Sequence, residues 1–351
     1  MERQFVVGSP VGLRSGTLYA GLIVSTLLAV YFNAELVGRR FLEKLHMDWT
    51  PGDLSSADMV VTSACAVAGG LVATILFAGA GTLARKDGSR LVVVMGLTNL
   101  FLLGFTMWAT VFARETLAAW VQELQPIGLA QELMIALATL LLGYAAWRAC
   151  GVASAAILGV PGVVVIGAMA AAVFLLLMEE ISWGQHLVGW ASPEAFFGNL
   201  QQETNFHNFY TNRFEFLYYS GAFAAFLVLP FVSQTARFAA PFRFYVPSVG
   251  FALAALPIAG FMSEDWGIVC FRIYFFCALG IAAHAAFKAA GTFRVLAIAL
   301  LLAMILAQGV FLAYGHRLLL STEIGEMRET AIAWAILAYC GWLTIRLRDV
   351  A

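Results

Sequence analysis

From residue 149 to residue 178 the chain carries no Asp, Glu, Lys or Arg. A helix needs about 20 consecutive apolar residues to cross a bilayer, and this run exceeds that length. A helix of similar length in a water-soluble domain normally shows a polar face, because one side of it meets solvent. The whole chain agrees with the run: it is 62% hydrophobic and 12% charged, whereas soluble domains hold about 45–50% apolar and about 25% charged residues. The sequence therefore describes an integral membrane protein. Its net charge of −1 offers no basic footprint for a nucleic acid.

Apolar windows predict helices near 17–37, 58–84, 91–112, 129–148, 152–178, 216–233, 246–262, 267–287, 293–314 and 326–345. The expected fold class is all-α: a polytopic transmembrane helical bundle of about 10 spans at roughly 20 residues each, forming a single domain over 1–351. A β-barrel would instead alternate apolar and polar residues. The first window follows Glu2, Arg3 and Arg14 and has no small-residue cleavage site after it, so it reads as a retained helix. The five cysteines (Cys65, Cys150, Cys270, Cys277 and Cys340) lie in or beside apolar runs without metal-type spacing, as small buried hydrophobes do.

Orientation follows from the positive-inside rule. With both termini cytoplasmic, Arg3, Arg14, Arg85, Lys86, Arg90, Arg148, Arg237, Arg243, Lys288, Arg294, Arg346 and Arg348 share the inner side. Arg39, Arg40, Lys44, Arg114, Arg213, Arg317 and Arg328 then fall outside, and Arg272 lies within a span. Most acids, together with His46, His186, His207 and His316, also fall outside, which makes the outer face the place for chemistry.

That face carries the most organised motif. The uncharged run ends in Glu179-Glu180-Ile181-Ser182-Trp183-Gly184-Gln185-His186 and is followed by Glu203-Thr204-Asn205-Phe206-His207-Asn208. On a continuing helix Glu179, Ser182 and His186 would share a face, as would Glu203 and His207 four residues apart. Ser192-Pro193-Glu194 resembles a helix start with Ser192 as cap. A short interfacial or re-entrant helical segment is expected around 179–215, where many aromatics suit the membrane boundary.

Several chemistries compete for these residues. His186, His207 and Glu180 are candidate ligands of a divalent metal that would activate water. Glu179, Glu180 or Glu203 could exchange protons from an apolar setting, oriented by His186 or His207. The same groups could relay protons in a transporter. The plain alternative is that they pair with each other to anchor the loop. Ser182, Trp183, Gln185, Asn205 and Asn208 are candidate substrate contacts, joined by Asp265, Arg272 and Glu326 from other segments. Arg272 could grip a phosphate or pair with Asp265 or Glu264. Glu323, Glu326 and Glu329 begin the last helix, where its dipole favours acids. Glu35, Asp48, Asp53 and Asp58 read as a solvated acidic loop.

The 179–185 segment, with Gly189, Ser192-Pro193-Glu194 and Glu203-Thr204-Asn205-x-His207-Asn208, resembles a motif of uncharacterised bacterial multi-pass inner-membrane proteins. The resemblance implies a bacterial inner-membrane setting. A broader architectural likeness is to the glycosyltransferases that use polyprenyl-phosphate sugars. Those also work at the outer face, but they place paired acids in the first outer loop. The expected function is an enzyme acting on a membrane lipid or lipid-linked small molecule at the periplasmic boundary. The alternatives are a proton- or cation-coupled transporter using Glu179 and Glu180, and a structural subunit without a site.

Overall fold

The computed structural model describes residues 56–79, 90–199, 201–235, 241–262, 269–314 and 322–350. Within them the long elements are helices: α1 (Ser56–Gly79), α2 (Arg90–Phe112), the short α3 (Arg114–Trp120), α4 (Pro126–Arg148) and α5 (Gly162–Glu180). There follow the single turn α6 (Gln185–Val188), α7 (Thr211–Ala222), α8 (Leu229–Thr235), α9 (Val249–Ala255), α10 (Pro257–Phe261), α11 (Val269–Lys288), α12 (Gly291–Tyr314) and α13 (Thr322–Arg348). No strand occurs among the described residues, apart from an isolated bridge between Ile157 and Val160.

Among the described residues seven helices are long and apolar enough to cross a bilayer: Arg90–Phe112, Pro126–Arg148, Gly162–Glu180, Arg213–Gln234, Val269–Lys288, Gly291–Phe311 and Glu323–Arg348. The chain is thus a multi-pass helical membrane protein. The window at 17–37 lies outside the described residues. Those at 58–84 and 246–262 correspond to shorter apolar stretches, Ser63–Ala78 and Val249–Phe261. The described helices therefore give seven spans where the sequence suggests about ten.

The differences have local causes. The window at 152–178 becomes a helix only at Gly162. The preceding residues form a 3-10 turn at Ala153–Ala155 and then a tight reversal through Leu158 (φ 49°) and Gly159 (φ 86°) before Pro161 caps α5. Lack of charge marks a segment as apolar, and Gly and Pro decide where it turns. The window at 246–262 divides at Pro257, which has no N–H to donate back to Leu253. The span Arg213–Gln234 passes through a π-helical turn at Phe223–Val228, just ahead of Pro230.

α9 and α10 form the centre of the bundle, and every residue from Val249 to Met262 is buried. A helix that is apolar all round has no face to give to water, and this stretch is too short to cross the bilayer by itself, so it is buried among the other helices. The amide of Asn99 on α2 donates to the Ala254 carbonyl at 2.8 Å, tying this core outward. α1 and α11 approach through small residues: a Cβ added to Gly69 would lie 2.7 Å from both the Cys277 nitrogen and the Ile273 oxygen. The α4–α5 hairpin packs beside α13 on the flank of the bundle. Only 11% of the most apolar stretch of α5 is buried against protein, compared with 56% for α13. Most of the α5 surface is thus not packed against other described helices.

Candidate functional site

The motif begins where α5 stops. Ser182 (φ 47°), Trp183 (φ 55°, ψ 28°) and Gly184 (φ 89°, ψ 6°) all take left-handed backbone angles, one after another. Each non-glycine residue held there costs roughly 1–2 kcal/mol, so the surroundings must impose the conformation. They do so through side chains from 20 residues further on. The Ser182 hydroxyl donates to Glu203 Oε2 at 2.9 Å and accepts from Asn205 Nδ2 at 2.9 Å. Glu203 Oε2 also accepts from Asn205 at 2.8 Å and from Asn208 at 3.3 Å. Asn199 closes the turn, its Oδ1 accepting from the Glu203 amide at 3.0 Å.

A second set of bonds fastens the outer strands of the loop. Gln185 donates to Ser192 Oγ at 2.8 Å and accepts from the Thr204 amide at 2.7 Å. Glu179 Oε1 accepts from Trp183 Nε1 at 2.9 Å, and its Oε2 accepts from the amides of Phe206 and His207 at 2.7 and 3.0 Å. His207 Nδ1 stands 3.5 Å from the same oxygen. Glu179, Ser182, Trp183, Gln185, Glu203, Asn205, His207 and Asn208 thus form one knot in which the acids take up the loop's own donors.

Three local expectations are corrected. Glu179, Ser182 and His186 do not share a helix face, because the helix ends at Glu180 and the backbone turns left-handed. Glu203 and His207 are not on one helix either; the short 3-10 turn starts only at His207. Ser192 is not a cap: Pro193 precedes the 3-10 turn Glu194–Phe196, and the Ser192 hydroxyl donates to the Gln202 carbonyl. The short helical segment expected around 179–215 takes the form of single turns at Ser182–Gly184, Gln185–Val188, Glu194–Phe196 and His207–Phe209, each too short to satisfy its own backbone, which is why so many side-chain amides are recruited.

Glu180 points the other way. Its Oε2 accepts from Gln131 Nε2 on α4 at 3.1 Å, and Gln131 Oε1 accepts from the Thr330 hydroxyl on α13 at 3.1 Å. The carboxyl groups of Glu329, Glu123 and Glu132 act on it, and those of Glu329, Glu180, Glu215 and Glu123 act on Glu326. Tyr219 donates its hydroxyl to Glu329, and Tyr218 lies under the influence of Glu180 and Glu329. The Arg328 guanidinium sits over the Tyr219 ring, 3.7 Å from its centroid. Carboxyls from the α3–α4 turn, α4, α5, α7 and α13 therefore meet at one end of the bundle. Glu123 is the outermost of them. Packing around its carboxyl, then the Glu203 and Glu132 carboxylates, push its pKa up to about 8. Its side chain keeps solvent exposure, so water moderates that effect.

Of the remaining candidates, Glu326 joins this cluster. Arg272 is buried on α11 beside Cys65, at the α1–α11 contact. Asp265 and the side chain of His186 lie outside the described residues. Among the described residues no group of three or more His, Cys, Asp or Glu side chains is arranged to hold a metal ion, and His207 lies against Glu179 rather than Glu180. Sequence reasoning missed Gln131, Thr330, Tyr218 and Tyr219 as partners. The one signal for Gln131 was its place beside Glu132 inside an apolar window.

Around the knot, Leu187, Val188, Phe197, Phe206 and Tyr210 are each between 59% and 72% exposed. Such a rim beside the ends of spanning helices suits the lipid headgroup region. No protein-family model, curated protein or solved structure matches the chain, so its chemistry is read from these residues alone.

Proposed function

We propose that this membrane protein is an enzyme whose proton-exchanging group is Glu180 and whose substrate is a lipid or lipid-linked molecule, processed by transfer or hydrolysis. One observation carries the reading: among the described spans Glu180 ends the one with the least protein around it, yet its carboxyl turns inward to Gln131 and a group of acids and tyrosines. A lipid head moving past α5 would meet that group after crossing a single helix. The exposed apolar rim of the motif loop supports a substrate held at the membrane boundary.

Glu179 and Glu203 serve as the roof in this reading. Their oxygens accept from the loop's own donors and so hold the left-handed turn that follows Glu180. Gln131 orients Glu180, with Thr330 fixing which end of the Gln131 amide faces it.

The transporter alternative uses Glu179 and Glu180 as proton or cation sites and draws on the other acids, Glu123, Glu132 and Glu329, that act on Glu180. Beyond those acids the bundle centre is filled by apolar residues from Val249 to Met262. Protons supplied from one end only suit acid–base chemistry better than passage across the membrane.

The test compares lipid mass spectra of membranes from cells producing the protein or its Glu180→Gln variant at equal folded yield. The expected result is a lipid species that changes with the protein and not with the variant. Identical spectra for the protein, the variant and the empty membrane would defeat the proposal.

A further inference from the structure

The far end of the bundle holds a second polar feature. A cavity of about 420 Å³ lies between the end of α8, the 243–249 segment and the last turns of α13. Among the described residues it is lined by Ser233, Gln234, Arg243, Ser248, Trp342 and Arg346 together with apolar residues, none of them acidic. Glu326 and Arg346 are both on α13, 20 residues apart, so about 30 Å separates this cavity from the acid cluster, close to a hydrocarbon thickness.

Both arginines are held in place. Arg243 Nε donates to the Ser233 carbonyl at 3.0 Å, a bond that uses one of its five N–H donors. The Arg346 guanidinium lies 5.3 Å from the Phe244 ring centroid and 5.1 Å from that of Trp342. Two rings fix the plane of a guanidinium and reduce the entropy lost when it binds a second group. Fixed guanidiniums from two segments, with hydroxyl and amide groups between them and no carboxylate in the wall, make a receptor for a tetrahedral oxyanion.

We infer that this cavity binds a phosphate group, presented by an anionic phospholipid head or by a soluble phosphate ester. The position at the ends of two spanning helices brings it to headgroup level, where a basic pocket between helices recognises anionic lipid. The proposal is independent of the reading of Glu180.

The experiment uses the full chain in detergent, with native mass spectrometry and thermal melting as readouts. One arm adds phosphatidylglycerol, a second phosphatidylcholine, a third inorganic phosphate. Expected is retention of phosphatidylglycerol in preference to phosphatidylcholine, with affinity falling about tenfold or more in Arg243→Gln/Arg346→Gln. Protection by inorganic phosphate alone, lost in the same variant, would support the site with a soluble ligand as its source. Equal binding of both lipids without protection by inorganic phosphate, or unchanged affinity in the variant, overturns the inference. Should loss of the Arg346 ring contacts prevent folding, Arg243→Gln alone decides, because Arg243 is exposed.

Discussion

Replacing Glu179 by alanine should open the motif loop without unfolding the bundle. The carboxylate accepts from Trp183 Nε1, Phe206 N and His207 N at 2.9, 2.7 and 3.0 Å. A hydrogen bond to a charged group contributes about 1.5–3 kcal/mol. Three would sum to more than twice that, but Trp183 and Phe206 are 37% and 63% exposed, so water can replace part of what they lose. A net local cost of about 3–5 kcal/mol follows, with the backbone amides bearing most of it. At about 1.4 kcal/mol per factor of ten, the amides of Phe206 and His207 should exchange hydrogen at least about 100-fold faster in Glu179→Ala. Hydrogen-exchange mass spectrometry of the full chain in lipid nanodiscs reads this directly. The peptide covering Gln131 on α4 serves as the unaffected control. Acceleration below about threefold at 206–207 would refute the claim that Glu179 anchors the loop.

Two further outcomes test other parts of the argument. Gly69→Val places its Cβ against backbone atoms of Cys277 and Ile273, which no rotamer change can move; overpacking of about 1–3 kcal/mol or more should lower the melting temperature, and a shift under about 2 °C would count against the close α1–α11 contact. Glu123, with its pKa raised from 4.5 to about 8, binds a proton in the folded state that the unfolded chain releases between those values. Stability should therefore be highest at or below pH 4.5 as far as this group is concerned, and should decline as pH rises through about 8. Melting curves from pH 5 to 9 should show this decline in the parent and a flatter profile in Glu123→Gln. Equal slopes would remove Glu123 from the cluster.

How far the sequence reached can be judged at particular residues. The uncharged run at 149–178 was enough to place a helix there, because solvation in hydrocarbon leaves few options for a long apolar segment. It did not show that the helix starts at Gly162, since Leu158 and Gly159 turn by backbone angles that hydropathy does not register. The motif was visible as a concentration of acids, amides and imidazoles. Its internal bonding was not, because Ser182–Glu203 and Glu179–Phe206 pairs join residues more than 20 positions apart through a left-handed turn that no helical spacing anticipates.

Sequence by itself thus determined the solvent this chain folds in, the class of fold and the segment richest in chemistry. These depend on properties of residues in order, namely apolar length and the scarcity of charge. Only the tertiary structure separated Glu179 from Glu180. Adjacent in the chain and identical in kind, they fall on opposite sides of the end of α5, one against the loop amides and the other against Gln131 and the α13 acids. Helical rotation turns neighbouring side chains about 100° apart, and which of the two then meets a partner depends on the helices packed around them.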